Sequence, residues 1–501
     1  MKSSVPQQFV PDKPHCNCAL FGVFGHSSAA QLTYFGLHAQ QHRGQEGSGI
    51  VTGEFDEASG RHRFHSHKGF GLVNEVYKNT EVLTKTLRGN MAVGHNRYST
   101  AGSSANKLNI QPFTVLYRNG NLAVAHNGNL TNFKAIRKRL QDEGTIFQTT
   151  SDTEVILHLV ARSKETDQIN QIKDALRQIE GAFSLIMLTD DRMIVARDPH
   201  GFRPLALGRK GKTLFAASET VAFDIIDAEY IRDVLPGEMV IIDREAMEKG
   251  TPVSIRIHDK PSPPRHCVFE YIYFSRPDSH VFGHSVDKVR RKLGKTLAST
   301  RPVVPKDPDE KQIVINVPDS SNTATMGFVQ QAQKEEVNAK LEIGLIRSHY
   351  IGRTFIQPGQ DVRENRVKTK FNTVRGVLNG KVVVIVDDSI VRGTTSKQLV
   401  QLVRQAGPKE VHFRVSSPPI KYPCHYGMDF PTPDELIANR CDGDVEKIGE
   451  ELQVDSIGYL SIEDMLDSVP HENGEQYCTA CFSGEYPVKV DLTHKKDENE
   501  G

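Results

Sequence analysis

Net charge is the first thing that this sequence lacks, because 62 Lys and Arg residues balance 62 Asp and Glu residues. That balance argues against a nucleic-acid-binding surface spread over the whole molecule. No apolar run reaches the roughly 18 residues of a membrane span. The first 17 residues also lack the apolar stretch of a secretory signal. We therefore expect a cytoplasmic protein with neither nucleic acid nor membrane as a partner.

Cysteine is scarce as well, with seven residues in a chain of 501. Without a secretory signal, so few cysteines do not indicate a disulfide framework. Metal-binding or catalytic thiols are the better explanation. The length exceeds that of one ordinary hydrophobic core and favours roughly three domains.

The first half of the chain is rich in short β-like runs. Residues 1–17 are polar and are expected to be disordered or removed as a propeptide. Over residues 18–257, the runs are interrupted by helical patterns near Ala30–Gln41 and Thr153–Arg162. Strands with helices grouped apart predict an α+β sheet sandwich.

The second half changes to a strand–helix alternation after the proline-rich linker His258–His266. Over residues 267–470, the apolar runs Ile313–Val317, Ile343–Leu345 and Val382–Val386 are expected to be strands. Such alternation predicts an α/β domain with a doubly wound parallel sheet and a ligand at the carboxyl ends of its strands. Residues 471–501 form a C-terminal segment with two cysteines and a charged tail.

The most informative segment is KVVVIVDDSIVRGTTS, residues 381–396. A β-branched strand leads into Asp387 and Asp388, then into a turn rich in Gly and Thr, and then into a helical pattern that Gly407 ends. This order suits an anion at a helix N-terminus. The G-x-x-x-x-G-K-[ST] pattern of ATP loops is absent, and the acidic pair suits ribose hydroxyls or magnesium. The alternative is a buried strand with a polar turn that binds nothing.

The same segment resembles the phosphoribosylpyrophosphate (PRPP) motif of the type I phosphoribosyltransferases. The resemblance implies a set of PRPP-binding residues, namely Asp387, Asp388, Ser389, Arg392, Gly393, Thr394 and Thr395.

A second turn, PDSS at residues 318–321, resembles the pyrophosphate loop of the glutamine-dependent PRPP amidotransferases. In that family Ser320, Asp387 and Asp388 would hold one Mg²⁺ per subunit. A cation is also required physically, since a carboxylate about 4 Å from pyrophosphate is repelled by roughly 4 kcal/mol per charge pair at an effective dielectric of about 20.

A basic segment, Arg347–Arg375, lies between the two turns. It could be a mobile lid over an anionic substrate, or simply a solvated basic loop. Its stretch GRTFIQPGQ resembles the closing loop of the same family, which adds Arg353 to the expected PRPP-binding residues.

Polar, Gly-rich clusters follow Cys18 in the first half: QHRGQEG, GHNRYST, AHNGN and TSD. A lone strand cysteine is usually a core residue. Together with these clusters, however, Cys18 suits an acyl-transfer site, which needs a thiol, charged groups for an amino acid and oxyanion donors. Asn127 could donate its side-chain amide and Gly128 its backbone N–H.

These clusters resemble the type 2 glutamine amidotransferase domain, whose catalytic cysteine begins the mature chain as an N-terminal nucleophile (Ntn). The resemblance implies that Cys18 is the nucleophile and that its own α-amino group, with an ordinary pKa of about 7.7–8.0, is the base. Cys16 is a rival, but the spacing to Gly22 favours Cys18; Ala19 stands where the family usually has Gly. The implied roles are glutamine binding by Arg97 and Asp152, an oxyanion hole from Asn127 and Gly128, and a site wall that includes Arg43.

Four further cysteines combine a C-x-x-C pair with two distant thiols: Cys267, Cys424, Cys478 and Cys481. Four soft ligands suit zinc or an iron–sulfur cluster, and spacing does not choose between them. Their contexts resemble the cluster-bearing branch of the PRPP amidotransferases, which implies one structural [4Fe–4S] cluster per subunit.

The resemblance extends from about Cys18 to Pro487. It implies a pentosyltransferase that converts glutamine, PRPP and water into 5-phosphoribosylamine, glutamate and pyrophosphate, the first committed step of de novo purine (IMP) synthesis. Ammonia would pass internally between the sites, purine nucleotides would inhibit, and the enzyme would be a homotetramer. The alternatives are a non-catalytic nucleotide-sensing regulator on the same fold and a glutamine amidotransferase that shares only the first half.

Overall fold

A computed structural model of the chain describes residues 18–57, 60–98, 106–307, 309–348, 371–471 and 476–490. Several expectations lie outside these residues: the propeptide with Cys16, most of the basic segment with Arg353, and the end of the charged tail.

Antiparallel strands build the first half of the chain. In sequence order they are β1 (Ala19–Phe24), β2 (Gly47–Asp56), β3 (Arg61–Phe70), β4 (Met91–Arg97), β5 (Phe113–Tyr117), β6 (Gly120–Leu130), β7 (Gly181–Leu188), β8 (Met193–Arg197), β9 (Ala206–Lys210), β10 (Thr213–Ala217), β11 (Glu229–Asp233), β12 (Glu238–Ile242) and β13 (Val253–Arg256). One sheet has the order β11-β9-β10-β1-β4-β2-β3, and the other has the order β13-β12-β8-β7-β6-β5.

The first half also contains helices that pack on the two sheets. They are α1 (Ala29–Ala39), α2 (Val73–Val76), α3 (Phe133–Asp142), α4 (Glu154–Arg162), α5 (Gln168–Gln178), α6 (Val221–Asp224) and α7 (Arg244–Lys249). Apolar residues between the sheets, among them Leu20, Val93 and Ile186, form a buried layer. Helix α1 packs on the first sheet and α3–α5 pack on the second. The expected sheet sandwich is therefore confirmed.

The second half contains the strands β14 (His266–Cys267), β15 (His280–Val281), β16 (His284–Ser285), β17 (Gln312–Asn316), β18 (Ala339–Leu341), β19 (Leu345–Arg347), β20 (Phe371–Thr373), β21 (Val382–Asp387), β22 (Glu410–Val415), β23 (Ser456–Tyr459) and β24 (Tyr477–Cys478). Parallel pairing gives the order β18-β17-β21-β22-β23. Every residue of β21 is buried, as the uninterrupted β-branched run predicts.

The helices of this half are α8 (Val286–Thr300), α9 (Asn322–Lys334), α10 (Arg375–Leu378), α11 (Thr394–Arg404), α12 (Ile437–Arg440), α13 (Val445–Leu452), α14 (Ile462–Ser468) and α15 (Ala480–Ser483). Helices α8, α9 and α14 share one core with the parallel sheet, while α11 and α13 share another. The sheet is thus doubly wound, as expected. Among the described residues, no helix combines the length and hydropathy needed to cross a bilayer.

One strand expectation was wrong. The run Ile343–Leu345 does not join the parallel sheet; β18 at Ala339–Leu341 does, paired with β17. Ile343 is 67% exposed, and Leu345 begins the separate hairpin β19–β20. Three apolar residues are too short a signal to locate a strand, because pairing with a neighbour outweighs local propensity.

Candidate active sites

Cys18 immediately precedes β1, the strand that lies between β4 and β10 in the first sheet. The thiol is buried, with 7% of the residue exposed, and it donates to the carbonyl oxygen of Tyr98 at 3.5 Å. Burial raises the pKa of the thiol to about 11, although Tyr98 and the Arg97 charge oppose the rise. A nucleophilic thiolate therefore requires a base close to the sulfur.

A small pocket brings together residues that are far apart in the sequence. Its walls include four predicted site residues, Cys18, Arg97, Gly128 and Asp152. The same pocket is lined by His95, Tyr98, Asn109, Gln111, His126 and Ser151. A guanidinium and a carboxylate beside one thiol match the two charged ends of an amino acid substrate.

Asn127 and Gly128 are neighbours on β6; Gly128 lines this pocket, whereas Asn127 is absent from its described lining. The Asn127 side chain is fully buried, and neither its Nδ2 nor its Oδ1 has a hydrogen-bond partner among the described residues. A buried amide without a partner is costly, and such groups are characteristic of functional sites. At Gly128, a Cβ atom would lie 2.0 Å from the Ala182 carbonyl oxygen, so the close approach requires glycine. The role of these two residues as oxyanion donors stays a prediction.

Asp152 is held by its surroundings in the charged form. Its carboxylate accepts from the Leu130 N–H at 3.0 Å and from the Thr153 hydroxyl at 3.2 Å, and His126 Nδ1 lies 3.8 Å away. Burial alone would raise the pKa of Asp152, but His126 and these hydrogen bonds outweigh it and leave the pKa below its ordinary value. The carboxylate can therefore receive an ammonium group.

Arg43 lies behind the nucleophile and is absent from the residues that line the described pocket. Its Nε donates to the Cys18 carbonyl oxygen at 3.4 Å. The rest of its guanidinium contacts Glu219 at 2.5 Å and Glu270 at 2.8 and 2.9 Å. Sequence reasoning missed both glutamates. Glu270 had a signal, since it is a lone charge in the apolar run VFEYIYF, and such a charge is rarely buried without a partner.

The acidic pair ends β21 at the carboxyl edge of the parallel sheet. Asp387 and Asp388 are each 1% exposed. The Asp388 N–H donates to Asp387 Oδ1 at 2.9 Å, and the Ser389 hydroxyl donates to Asp388 Oδ1 at 2.7 Å. Two negative charges are thus fixed where the predicted ligand would lie.

Gly393 begins the helix that follows this turn. Its φ of +79° lies in the left-handed region, and a Cβ atom there would lie 2.3 Å from Ile437 Cδ1. Thr394 and Thr395 open α11, whose first N–H groups point towards the turn. Arg392, a predicted PRPP-binding residue, donates its Nε to Glu435 at 2.6 Å.

Ser320 follows the neighbouring strand β17, which pairs in register with β21 up to Asn316 and Val386. Parallel strands end at the same edge, so the Ser320 turn and the acidic pair belong to one end of the sheet. The Ser320 carbonyl oxygen accepts from Arg290 at 3.4 Å. One hydroxyl and two carboxylates are the oxygen donors that a hard cation such as Mg²⁺ prefers, so the residues fit the expected ion.

The four expected cluster cysteines converge. Cys267 and Cys478 are register partners in the parallel pair β14–β24, and Cys481 follows in α15. Each of Cys267 and Cys424 acts electrostatically on both Cys478 and Cys481. Burial raises the pKa of Cys267 to about 11, and all four are free thiols.

This thiol set offers soft ligands, which suit zinc or an iron–sulfur cluster. Within the described ranges, no group of three or more His, Cys, Asp or Glu side chains is arranged to hold a metal ion. The chemistry of the donor set therefore fits either group.

Comparisons with known proteins identify relatives of this chain. A family profile described as a glutamine amidotransferase domain matches residues 95–224. The chain is 46% identical over 480 residues to amidophosphoribosyltransferase 2, chloroplastic, of Arabidopsis thaliana, covering 95% of this chain and 80% of that protein. It is 46% identical over 479 residues to the amidophosphoribosyltransferase of Bacillus subtilis, covering 94% of each.

Two solved structures resemble the whole chain. One, described as the allosteric regulatory enzyme of purine biosynthesis, is 44% identical with a TM-score of 0.87, over 97% of this chain and 99% of that one. The other is glutamine PRPP amidotransferase from B. subtilis complexed with ADP and GMP. It is 44% identical with a TM-score of 0.85, over 95% of this chain and 98% of that one.

Proposed function

The chain belongs to the amidophosphoribosyltransferase family, and from that premise we propose how its residues divide the reaction between two sites. The enzyme is a glutamine-dependent glycosyltransferase of the first step of purine biosynthesis. The proposed reaction converts glutamine, PRPP and water into 5-phosphoribosylamine, glutamate and pyrophosphate. The observation that carries the proposal is the pocket that joins Cys18 to Arg97, Gly128 and Asp152, in the same chain as the acidic turn of β21.

In the first site, the Cys18 sulfur attacks the side-chain amide carbon of glutamine. Because burial raises the thiol pKa to about 11, the proton needs a nearby acceptor. We assign this role to the α-amino group that removal of residues 1–17 would create. The amine passes the proton to the departing nitrogen, ammonia leaves, and water then hydrolyses the thioester to glutamate.

The other residues of this site bind and stabilise. Arg97 pairs with the glutamine α-carboxylate, and Asp152 pairs with the α-ammonium group. The Asn127 amide, which has no hydrogen-bond partner in the described part of the chain, and the Gly128 N–H donate to the oxyanion of each tetrahedral intermediate. Arg43 contributes through the Cys18 carbonyl rather than through the substrate.

In the second site, the N-terminus of α11 and the turn around it bind PRPP, and ammonia attacks C1 of the ribose to displace pyrophosphate. Asp387 and Asp388 face the ribose side, while Ser389, Gly393, Thr394 and Thr395 cradle the 5-phosphate. Arg392 and Arg353 complete the proposed set. A bound Mg²⁺, held by Ser320, Asp387 and Asp388, would supply the positive charge that lets pyrophosphate approach these carboxylates.

We further propose that Cys267, Cys424, Cys478 and Cys481 hold one structural [4Fe–4S] cluster. The convergence of four soft ligands supports a bound metal group, and the resemblance of their sequence contexts to the cluster-bearing branch of the family favours iron–sulfur over zinc. The proposed domains are residues 18–257 for glutamine hydrolysis and 267–470 for phosphoribosyl transfer, with 471–501 as the C-terminal segment.

Regulation and assembly are also part of the proposal. The B. subtilis relative was solved with ADP and GMP, which supports inhibition of this chain by purine nucleotides. We propose a homotetramer in the cytoplasm, although several plant relatives are named chloroplastic.

Pyrophosphate release tests the activity. With PRPP and Mg²⁺, the protein should release pyrophosphate when either glutamine or ammonium is added. A non-catalytic regulator on this fold would bind PRPP but release none with either nitrogen donor. A glutamine amidotransferase that shares only the first half would produce glutamate without consuming PRPP.

A further inference from the structure

A fully buried ionic network lies between the two halves of the molecule. The side chains of Arg43, Arg203, Glu219 and Glu270 are all 0% exposed. Arg43 pairs with Glu219 at 2.5 Å and with Glu270 at 2.8 Å, and Arg203 pairs with Glu270 at 3.3 Å. Two positive and two negative charges balance, so the two guanidinium groups depend on both carboxylates for neutralisation.

On one side, this network contacts the nucleophile. Arg43 Nε donates to the Cys18 carbonyl oxygen at 3.4 Å, so the position of the guanidinium affects the backbone that carries the thiol. Glu219 also accepts from the Arg276 N–H at 3.0 Å and the Ser279 hydroxyl at 2.8 Å, both in the segment that leads into α8.

On the other side, the network reaches the acidic turn of the parallel sheet. Glu270 Oε2 accepts from the Ser275 hydroxyl at 2.7 Å. The Ser275 carbonyl oxygen accepts from Arg290 Nη2 at 2.7 Å, and Arg290 Nη1 donates to the Ser320 carbonyl oxygen at 3.4 Å. Asp388 also stabilises the Arg290 charge electrostatically. A continuous set of contacts therefore joins Cys18 to Ser320.

Stability does not require such a network. Apolar residues of similar volume often replace a buried ion pair without loss of stability, whereas a charge whose partner is removed is strongly unfavourable. What buried ion pairs add is a defined geometry. Here that geometry is shared by two sites whose reactions must be coordinated, since ammonia made at the first is consumed at the second.

We propose that Glu270 is a positioning residue that couples the two sites, holding Arg43 against Cys18 in response to the Ser275–Arg290–Ser320 contacts. This inference rests on the proposed function and deepens it. Occupation of the PRPP site then changes the rate of glutamine hydrolysis through Glu270. Arg43 acts on the backbone of the nucleophile, so the effect belongs to hydrolysis and not to phosphoribosyl transfer.

The test compares two rates in the wild type and in Glu270→Gln: glutamine hydrolysis with and without PRPP, and ammonium-dependent pyrophosphate release. The substitution keeps the shape of the side chain but removes its charge. We expect the stimulation of hydrolysis by PRPP to fall on the order of tenfold, as for loss of one charge-assisted hydrogen bond. Ammonium-dependent release should stay within about twofold of the wild-type rate, because none of the described hydrogen bonds of Glu270 reaches the acidic turn directly.

A matched control is Glu238→Gln, which removes a bidentate partner of Arg232 at 2.7 and 2.8 Å within the first half. It should leave the stimulation unchanged. Ser275→Ala removes only the hydroxyl contact to Glu270, keeps all four buried charges, and should also lower the stimulation. It serves as the second variant if Glu270→Gln does not fold.

The outcomes separate the inference from the function on which it rests. A wild type without glutamine-dependent pyrophosphate release would overturn both. An active wild type with unchanged PRPP stimulation in Ser275→Ala and in folded Glu270→Gln would overturn the coupling alone. The inference would also be rejected if every measured rate fell by the same factor in Glu270→Gln, in Ser275→Ala and in the control Glu238→Gln. The network would then have a purely structural role.

Discussion

At the scale of single residues, burial determines the chemistry of the thiol pocket. It raises the pKa of Cys18 to about 11, while hydrogen bonds and His126 keep Asp152 charged despite similar burial. The sequence clusters pointed to Cys18 and Asp152 as residues of one site, because core packing alone rarely explains polar, Gly-rich segments at strand ends, and the structure brings both residues to one pocket. His126, beside Asn127 in the same cluster, was not assigned a role, since its contact with Asp152 depends on the fold.

The first prediction at this scale concerns the N-terminus. If the Cys18 α-amine is the base, the mature enzyme begins at Cys18, and glutamine hydrolysis falls as the pH drops through the amine pKa of about 7.7–8.0, where the protonated amine cannot accept the thiol proton. Intact mass shows whether the chain begins at Cys18, and the pH profile of glutamine hydrolysis shows whether the amine is the base. Full hydrolysis by a chain that retains Met1 would disprove this role of the amine.

The second prediction concerns His95, whose Nε2–H donates to the His126 carbonyl oxygen at 3.1 Å. Burial lowers the pKa of His95 to about 3, whereas the unfolded value is about 6.5. Between these values the unfolded state binds more protons, so stability rises with pH. From pH 7 to pH 5 the free energy of unfolding should lose about 2 kcal/mol through this group.

Urea unfolding of His95→Asn at both pH values checks this prediction. The variant should lose less stability on acidification than the wild type, while His284→Asn, at an exposed histidine, should not differ from the wild type. Equal pH dependence in all three proteins would show that His95 does not titrate as described.

At the scale of elements, the turn between β21 and α11 requires glycine at position 393, where φ is +79°. Gly393→Ala should destabilise the protein by about 1–3 kcal/mol, because a side chain at positive φ is strained and its Cβ would clash with Ile437. Pyrophosphate release should fall with either nitrogen donor. Gly376→Ala is the matched control, since nothing lies within 4 Å of its added Cβ. Similar urea midpoints for both variants would count against this explanation.

The fourth prediction concerns the cysteines of β14, β24 and α15 together with Cys424. Protein purified without oxygen should be brown and contain about four irons and four sulfides per chain, as a cubane requires. Cys424→Ser should lower the iron content, while Cys441→Ser should not. Colourless protein with one zinc per chain would contradict the cluster assignment.

Sequence patterns predicted these elements unevenly. The β-branched run of β21 identified a two-sided buried strand, because no other element needs five such residues in a row. The short run Ile343–Leu345 misplaced its strand, since β18 is defined by pairing with β17 and not by its own residues. The strand β23 was not predicted, because SIGY carries little β-branched or alternating pattern.

At the scale of the whole molecule, two folds share a buried ionic interface. Both domain types could be predicted from the sequence, because each carries local motifs. The Arg43–Glu219–Glu270–Arg203 network could not, since its members are far apart and charges are ordinarily exposed. The account therefore depends most on the separation of two sites with distinct chemistry in one chain.

The most direct test of that separation is ammonium-dependent pyrophosphate release by Cys18→Ser and by Asp388→Asn. Cys18→Ser removes the thiolate and leaves the acidic turn intact, so it should lose glutamine-dependent synthesis and keep the ammonium-dependent reaction. Asp388→Asn removes a charge that steers the cation and the ribose in the proposed site, so it should lose both reactions. If Cys18→Ser lost ammonium-dependent release as completely as Asp388→Asn, the two-site account would be contradicted.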